Sequence, residues 1–256
     1  VISKFITDWI KDTSSTGYLR SIHNPNKREQ DGEKKAILCP DCEQFFGKFE
    51  NIYKQNLFSS IANYRKPLPD ILKISENDKK FMLSLFWRQI INLLHFDKHD
   101  QIYEEELIFL EKKADLIKRY IDKSNFSESF DLSVYLIPLH ENQVKTLNLP
   151  LAATADFYEY ERSVFGDLSL LDNFEQVWIM VKLPFHIIVC DLMKNTHEWE
   201  VPEILTNDKL LISQIKAVPK MLKNELKKRV FTQPKEAYSN ISKEQKLKIE
   251  NDIKEN

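Results

Sequence analysis

The chain has 256 residues, of which 42% are hydrophobic and 11% aromatic, so it holds enough apolar material for one large core or two small ones. Its 37 lysines and arginines against 39 aspartates and glutamates give a formal net charge of -2, which excludes a polyelectrolyte throughout but allows a local basic face. Only 4 glycines are present, with no GxGxxG or GxxxxGK[ST] motif, so we expect no glycine-dependent phosphate site.

Cysteine content and hydropathy indicate the compartment. Three cysteines are too few for a disulfide framework and no signal peptide is recognisable, so we expect a cytoplasmic protein. The longest apolar stretch is interrupted by Lys182 and Pro184 and is too short to span a membrane, so no membrane partner is expected. The opening residues Val1–Phe5 have the composition of the middle of a strand, and we therefore expect the natural N-terminus to lie upstream of them.

The first part of the chain predicts a loose β-hairpin followed by a helix. One strand is expected over Tyr18–Ile22 and its return over Lys34–Leu38, with a turn at 24–26 between them. Apolar residues at helical spacing then begin at Phe45, and Pro40 suits the first turn of that helix.

The middle of the chain predicts two longer helices, and the second half predicts a sheet. Helices are expected over Asp78–Leu94 and Tyr103–Ile121, where apolar residues recur every three or four positions. From about Ser124 the period changes to two, and β-rich runs over Phe174–Val181 and Phe185–Leu192 predict a small, mainly antiparallel sheet. Helices are expected again in the C-terminal tail.

One short motif carries most of the chemistry. Cys39 and Cys42 form a CxxC at the start of a helix, where two thiolates can bind one tetrahedral zinc and the helix N-terminus lowers the pKa of both thiols. A structural site needs four ligands, and Cys190 lies in an apolar run typical of a core. The other two ligands are therefore expected to be histidines of this chain or residues upstream of Val1. Two ordinary buried thiols, or a redox pair, are the alternatives, although no βαβ pattern surrounds the motif.

A hairpin, a CxxC and an amphipathic helix follow one another in the order of the second half of a treble-clef zinc fold. Six short segments within about the first 90 residues carry a further resemblance to known proteins: Val1–Phe5, Thr16–Arg20, Pro25–Arg28, Gln30–Gly32, Leu38–Glu43 and Phe81–Arg88. In these segments the chain resembles a group of uncharacterised bacterial proteins that are similar to His-Asn-His (HNH) endonucleases in their zinc-binding part. In that group a CxxC and a Ser-His dipeptide precede the position of Val1, so the resemblance implies that the first zinc half is missing here.

The resemblance implies a nuclease chemistry that this chain carries only in part. In HNH nucleases a first-strand histidine is the general base and a divalent ion stabilises the phosphate charge. That histidine would fall just before Val1, so this chain alone is expected to be inactive. Glu43 stands where the nuclease pattern usually has His or Asn, and it is either the candidate ligand for a catalytic Mg²⁺ or a carboxylate favoured by the helix dipole.

Two basic clusters are candidates for contact with phosphate. The first lies on the predicted hairpin and consists of Arg20, Lys27, Arg28, Lys34 and Lys35. The second lies over 216–229, where charge alone is equally compatible with nucleic-acid contact and with an ordinary lysine-rich surface. His95 and His99 have the spacing of a metal pair, but a helix end that favours histidine is the preferred interpretation.

These observations predict an α+β fold: a truncated treble-clef-like zinc module over 1–66, a helical section over 67–123, and a mainly antiparallel sheet with flanking helices over 124–256. The predicted function is an HNH-like zinc-binding protein that acts on nucleic acid, as a metal-dependent endonuclease in its full-length form. The alternative is a non-catalytic, zinc-stabilised binding or sensing module, and a metal-free protein of unrelated activity is the third hypothesis. The expected cofactors are structural zinc and, for the nuclease, Mg²⁺.

Overall fold

The computed structural model describes residues 3–30, 32, 37–96, 103–122, 131–151, 157–171, 176–194 and 198–255. Helices and strands alternate along these segments, so the architecture is α+β, as predicted. The α-helices lie over Lys4–Asp12 (α1), Pro40–Tyr53 (α2), Ser59–Ile61 (α3), Glu76–His95 (α4), Glu104–Asp122 (α5), Glu141–Thr146 (α6), Tyr158–Arg162 (α7), Lys220–Leu226 (α8), Gln233–Ser239 (α9) and Lys243–Glu255 (α10). π-helical turns over Lys54–Phe58 and Lys227–Thr232 continue α2 and α8.

The described strands form three antiparallel sheets. They lie over Leu19–Ser21 (β1), Asn24–Glu29 (β2), Ile71–Lys73 (β3), Ser133–Pro138 (β4), Phe165–Leu171 (β5), Gln176–Leu183 (β6), His186–Asp191 (β7) and Lys209–Leu211 (β8). Two sheets are two-stranded, β1 with β2 and β3 with β8, and the third has the order β4-β7-β6-β5. The predicted antiparallel sheet of the second half is therefore confirmed.

The four-stranded sheet is covered on both faces. Every residue of β4 and of β7 is buried, although β4 shows the alternating pattern of a strand with one exposed face. Helix α4 packs against β5 and β6. Trp199, from the loop after β7, stacks on Tyr135 of β4 with ring centroids 4.3 Å apart and also contacts Trp178 of β6. The two-residue alternation of the sequence predicted the strands. The packing of α4 and of the loop that carries Trp199 decides that neither face of the sheet is solvated.

Helix α4 is the central helix of the core, and it begins at Glu76, two residues before the predicted start at Asp78. The Ser75 side chain accepts the backbone N–H of Asp78, and the Asp78 carboxylate accepts the N–H of Ser75 in return, which forms a capping box. Buried residues lie on most sides of α4, which contacts both α2 and α5. One cluster of buried side chains runs from Phe5 to Val230 and includes residues of all three predicted units, whose boundaries stay a prediction.

The first described residues form a helix, so the prediction of a strand over Val1–Phe5 is wrong where the structure describes it. Helix α1 begins at Lys4, and Phe5 and Ile6 are buried against the core. With Trp9 and Ile10 they repeat at the spacing of one helical face. The short window that ends at Phe5 conceals this period, because it holds less than two helical turns.

The hairpin is shorter than predicted, and its return strand is a different segment. Strand β2 begins directly after the two-residue turn at Ile22–His23, so the turn expected at 24–26 is wrong. Pro25 is tolerated because a two-stranded ribbon leaves backbone positions without a ladder partner, and the Pro25 carbonyl accepts a hydrogen bond from Arg20 at 2.8 Å. The strand expected over Lys34–Leu38 is also wrong at its described end, because residues 37 and 38 lie outside any strand and 33–36 outside the described residues.

Candidate functional site

The CxxC lies at the first turn of α2 with both thiols on the surface. Cys39 is the N-cap, and its sulfur accepts the backbone N–H of Cys42 at an N···S distance of 3.4 Å. The Cys39 carbonyl accepts the N–H of Glu43 at 2.9 Å. Both cysteines are exposed, so the alternative of two ordinary buried thiols is wrong. The prediction of a helix that starts with Pro40 in its first turn is confirmed.

The two thiols differ in acidity because they contact each other. A hydrogen bond with the Cys42 thiol, followed by the bond to its backbone N–H, lowers the pKa of Cys39. The same contact raises the pKa of Cys42, and the ammonium of Lys118 on α5 opposes that increase. The expectation that the pKa values of both thiols are lowered is therefore wrong for Cys42. Cys39 is therefore the sulfur that ionises first, and a thiolate is the form that binds metal.

As a metal site, this pair is one half of a coordination sphere. Sulfur donors two residues apart at a helix start suit zinc, but a structural site takes four ligands. Across the described parts of the chain, no group of three or more His, Cys, Asp or Glu residues is placed to hold a metal ion. The residues present therefore fit zinc as two of its ligands. Cys190 does not join them, because it is fully buried in β7, which confirms its prediction as a core residue.

The described histidines have other surroundings. His140 bonds to the Ile61 carbonyl at 3.0 Å. His186 bonds to the Tyr53 hydroxyl at 2.6 Å, and His23 lies exposed in the hairpin turn. His95 is in the last turn of α4, at the negative end of the helix dipole, which agrees with the helix-end interpretation. His99 and His197 lie outside the described residues.

Glu43, the candidate catalytic residue, is exposed in the first turn of α2. Its carboxylate is close enough to the buried guanidinium of Arg88 to oppose the decrease that burial causes in the pKa of Arg88, an effect that Glu50 produces more strongly. The Arg88 guanidinium also packs over the Phe46 ring at 5.2 Å. Glu43 thus has both a favourable helix position and a nearby structural cation.

The described cations among those predicted to contact phosphate on the hairpin lie in different environments. Arg20 and Arg28 are half-buried and bonded within the protein, Arg20 to the Pro25 carbonyl and Arg28 to Asp252. Burial, and then the charge of Arg28, lower the pKa of Arg20. Lys27 is exposed on β2. Lys34 and Lys35 lie outside the described residues. The structure therefore places one of the five cations at the surface and binds two of them to other groups.

The C-terminal helix holds the hairpin in place. The Arg28 guanidinium bonds to the Asp252 carboxylate of α10 at 2.5 Å and covers the Tyr18 ring at 4.6 Å. Asn26 donates to the Asn240 carbonyl and accepts the N–H of Ser242. Because these partners are more than 200 positions apart in the chain, no local pattern could have indicated them.

A cavity of about 560 Å³ lies beside the hairpin, a volume within the usual range of small-ligand sites. Its lining consists of Ser14, Ser15, Thr16, Gly17, Tyr18 and Ile253. Gly17 has a φ of +66°, the left-handed conformation that glycine adopts without strain. The cavity is mostly polar, and none of its lining side chains is charged.

Sequence reasoning missed a buried polar group at the end of the four-stranded sheet. Lys182 and His186 are fully buried, and the Lys182 ammonium donates to the carbonyls of Leu183 and Ser163 at 2.6 and 3.2 Å. Burial, and then the charge of Lys182, lower the pKa of His186 to about 3. Burial also lowers the pKa of Lys182 far below its usual value. The sequence feature that could have indicated this buried group is the presence of two basic residues, Lys182 and His186, inside an apolar run.

The remaining charged clusters are bonded within the fold only in part, because Lys216, Lys220, Lys227 and Lys228 of the basic tail are exposed. Glu104, Glu105 and Glu106 lie in the first turn of α5, and Glu106 accepts the backbone N–H of Tyr103. In the basic tail, Arg229 pairs with Asp167 and Lys223 donates to the Leu147 carbonyl. The apolar side of that tail is buried through Leu222, Leu226 and Val230.

Comparison of this chain with protein-family models, with curated proteins and with solved structures finds no match. No described helix is both long and apolar enough to cross a membrane.

Proposed function

We propose that this chain is part of an HNH-like zinc-binding protein that acts on nucleic acid. The observation that carries the proposal is the pair of exposed sulfurs at the start of α2, with Cys39 bonded to the N–H of Cys42 at 3.4 Å. Two soft donors held at the surface by one helical turn are the ligands that zinc prefers. The other two ligands of the tetrahedron would come from elsewhere in the protein.

Zinc would stabilise this corner of the fold. When bound, it supplies a tetrahedral centre that joins the start of α2 to the segment that carries the other ligands. Cys39 and Cys42 are the residues of this chain that would hold it. The contact between the two thiols already favours ionisation of Cys39, which is the step that zinc binding requires.

The zinc proposal is tested by metal analysis of the full-length protein. We expect about one zinc per chain in the wild type and a loss of most of it in Cys39→Ser and in Cys42→Ser. Cys190→Ala is the matched control, because Cys190 is a thiol in the core and its replacement leaves the α2 sulfurs in place. Equal zinc in all four proteins would contradict the proposal.

The nucleic-acid proposal needs a separate measurement. Lys27 is the exposed cation of the hairpin among the described residues, so Lys27→Ala is expected to weaken binding to any sequence and to reduce its salt dependence. Lys73→Ala, which removes an exposed lysine of β3, is the control. A wild-type protein that binds neither duplex nor single-stranded DNA or RNA would refute this part alone, since zinc content is measured independently.

Variants of Glu43 test whether the full-length protein cleaves nucleic acid or only binds it. If it is a ligand of catalytic Mg²⁺, Glu43→Ala abolishes Mg²⁺-dependent nicking of plasmid DNA and Glu43→Gln does the same. The non-catalytic alternative is favoured by the position of Glu43 beside the buried Arg88, because a carboxylate there has a structural reason. That alternative predicts no cleavage by the wild type and unchanged zinc content in both Glu43 variants.

A further inference from the structure

A row of aromatic rings and cations crosses the surface next to the C-terminal end of α1. The Trp9 ring stacks on the Tyr64 ring with centroids 5.8 Å apart and an interplanar angle of 15°. The Arg162 guanidinium lies over the Trp9 ring at 5.6 Å and over the Tyr158 ring at 5.3 Å. Tyr64, Trp9, Arg162 and Tyr158 thus form one array, here called the stacking platform.

The stacking platform is held rigidly from below. Arg162 is buried, and its guanidinium donates to the carbonyls of Ile10 and Thr13 at 2.5 and 2.9 Å, at the negative end of the α1 dipole. The edge of Tyr64 packs against the Phe185 ring at 4.9 Å. The rings are therefore already ordered in the free protein, so a ligand that stacks on them avoids that entropic cost.

The two outer rings are nevertheless open to solvent. Tyr64 is 49% exposed and Tyr158 is 52% exposed, although both already make ring contacts within the protein. A flat, half-exposed ring backed by a second ring is the arrangement on which a nucleobase stacks, since every base has a π-face.

The charge beside the platform favours a polyanion. Arg65 and Lys66 follow Tyr64 directly, both are exposed, and within the described chain neither forms an ion pair. Burial is the main cause of the raised pKa of Tyr64, and the carboxylate of Glu161, which lies near that ring, adds to it. Arg65 and Lys66 therefore add two exposed cations directly after Tyr64, a ring that also lies near the Glu161 carboxylate.

The platform is connected to the hairpin through α1. Lys11, in the last turn of α1, donates to the carbonyl of Gln30, the residue after β2, at 2.8 Å. Thr13 at the same helix end accepts from Arg162. From these observations we propose that the stacking platform binds unpaired bases of single-stranded nucleic acid, with a base on Tyr64 and phosphates on Arg65 and Lys66. The proposal rests on the proposed function and specifies its substrate class as single-stranded.

The test compares single-stranded with duplex DNA by fluorescence anisotropy, with a labelled oligothymidylate of about fifteen nucleotides and a duplex of the same length. Tyr64→Ala is expected to weaken single-strand binding about tenfold and duplex binding less than twofold, because stacking on an aromatic side chain acts only on unpaired bases. Tyr64→Phe keeps the ring and is expected to bind as the wild type does. Tyr103→Ala removes a tyrosine that is 75% exposed elsewhere and is the matched control.

The outcomes separate this proposal from the one on which it rests. Wild-type binding that Tyr64→Ala and Tyr158→Ala leave unchanged overturns the stacking platform and leaves the proposed function standing. A wild type that binds neither single-stranded nor duplex DNA or RNA overturns the stacking platform and the nucleic-acid part of the proposed function, and its zinc content is measured independently. Equal competition by polyglutamate and oligothymidylate would mean that charge alone is recognised, and it also overturns the platform. Tyr158→Ala is included because it removes a platform ring without exposing Trp9, so a folding defect in Tyr64→Ala does not leave the question open.

Discussion

The four-stranded sheet and the hairpin–CxxC region use polar side chains in opposite ways. In the sheet, Lys182 and His186 are fully buried and each bonds to neighbouring backbone or side-chain groups. In the hairpin–CxxC region, Cys39, Cys42 and Lys27 lie at the surface. A group whose bonds are made inside the core supports the fold, whereas an exposed donor with spare capacity is available to a metal or a phosphate.

This contrast separates stability from binding. The polar groups of the sheet have perturbed pKa values because they are buried, and a perturbed pKa in a filled core has a structural cause. The thiols of α2 have shifted pKa values while exposed, because they act on each other. A shifted pKa therefore does not by itself indicate a site.

The largest expected difference between the two regions is in packing. Ile179 of β6 is fully buried and Ile22 of the hairpin turn is 38% exposed. Ile179→Ala should lower the free energy of unfolding by about 2–5 kcal/mol, because it removes buried surface and leaves a cavity. Ile22→Ala should lower it by less than about 1 kcal/mol. Urea denaturation measures both, and similar losses would show that the hairpin is as tightly packed as the sheet.

The next effect is on the pH dependence of stability. The Nδ1–H of His186 donates to the Pro184 carbonyl, so Nε2 accepts from the Tyr53 hydroxyl and the ring is neutral. The pKa of His186 is about 3 in the folded protein, which is below its value in the unfolded chain. As the pH falls, the unfolded chain therefore binds a proton at this histidine before the folded protein does. The contribution of the neutral His186 ring to the free energy of unfolding is therefore present above pH 6.5. It decreases below that pH, by about 2 kcal/mol between pH 6.5 and 5.

The variant His186→Gln should remove that part of the pH dependence, because glutamine stays neutral. His23→Gln, in the exposed turn of the hairpin, should retain the wild-type dependence. Unfolding free energies from urea titrations at pH 5 and at pH 7 provide the comparison. The assignment to His186 fails if its variant and the wild type lose the same stability between the two pH values.

Backbone conformation should matter more than packing in the N-terminal region, and two of its glycines, Gly17 and Gly47, test this in opposite directions. Gly17 has a φ of +66°, so Gly17→Ala should cost about 1 kcal/mol of stability. Gly47 lies inside α2 with open space around its Cα, so Gly47→Ala should raise stability by up to about 1 kcal/mol. Thermal unfolding distinguishes the two signs, and a destabilising Gly47→Ala would be the unexpected result.

The smallest expected effect is at the contact between the hairpin and α10. Asp252→Asn removes the charge that pairs with Arg28, and because both groups are partly exposed it should cost only about 0.5–1 kcal/mol. Asp70→Asn, an exposed carboxylate before β3, should change stability by less than about 0.5 kcal/mol. Proteolysis of α10 should become faster in Asp252→Asn alone, and equal rates in both variants would exclude an anchoring role for this pair.

Much of the fold was predictable, because a local sequence pattern indicates many of its helices and strands. Helix α4 was found from its apolar spacing, and the Ser75–Asp78 capping box shows why it starts where it does. The strands β6 and β7 were found from their β-branched runs. Strand β3 was missed, because three residues are too few for a period to be visible, and its partner β8 lies more than 100 positions later.

The candidate site was predictable to a lesser extent. The position of Cys39 and Cys42 at a helix start followed from their spacing and from Pro40, and the structure confirms it. The environment of Arg28 did not follow, because its partner Asp252 comes from the other end of the chain. The stacking platform was also missed, since Trp9, Tyr64 and Arg162 are separated by long intervals and none forms a motif.

Amino-acid spacing by itself determined the α+β class, the long helices, the central strands and a paired-cysteine helix start, because each depends on contacts between residues within a few positions of one another. Tertiary structure alone decided that both faces of the sheet are covered, that Arg28 is bound to a carboxylate while Lys27 is exposed, and that Tyr64 stacks on Trp9. These outcomes depend on contacts between distant segments, and a contact of that kind follows from the packing of the whole chain and leaves no periodic trace in either segment.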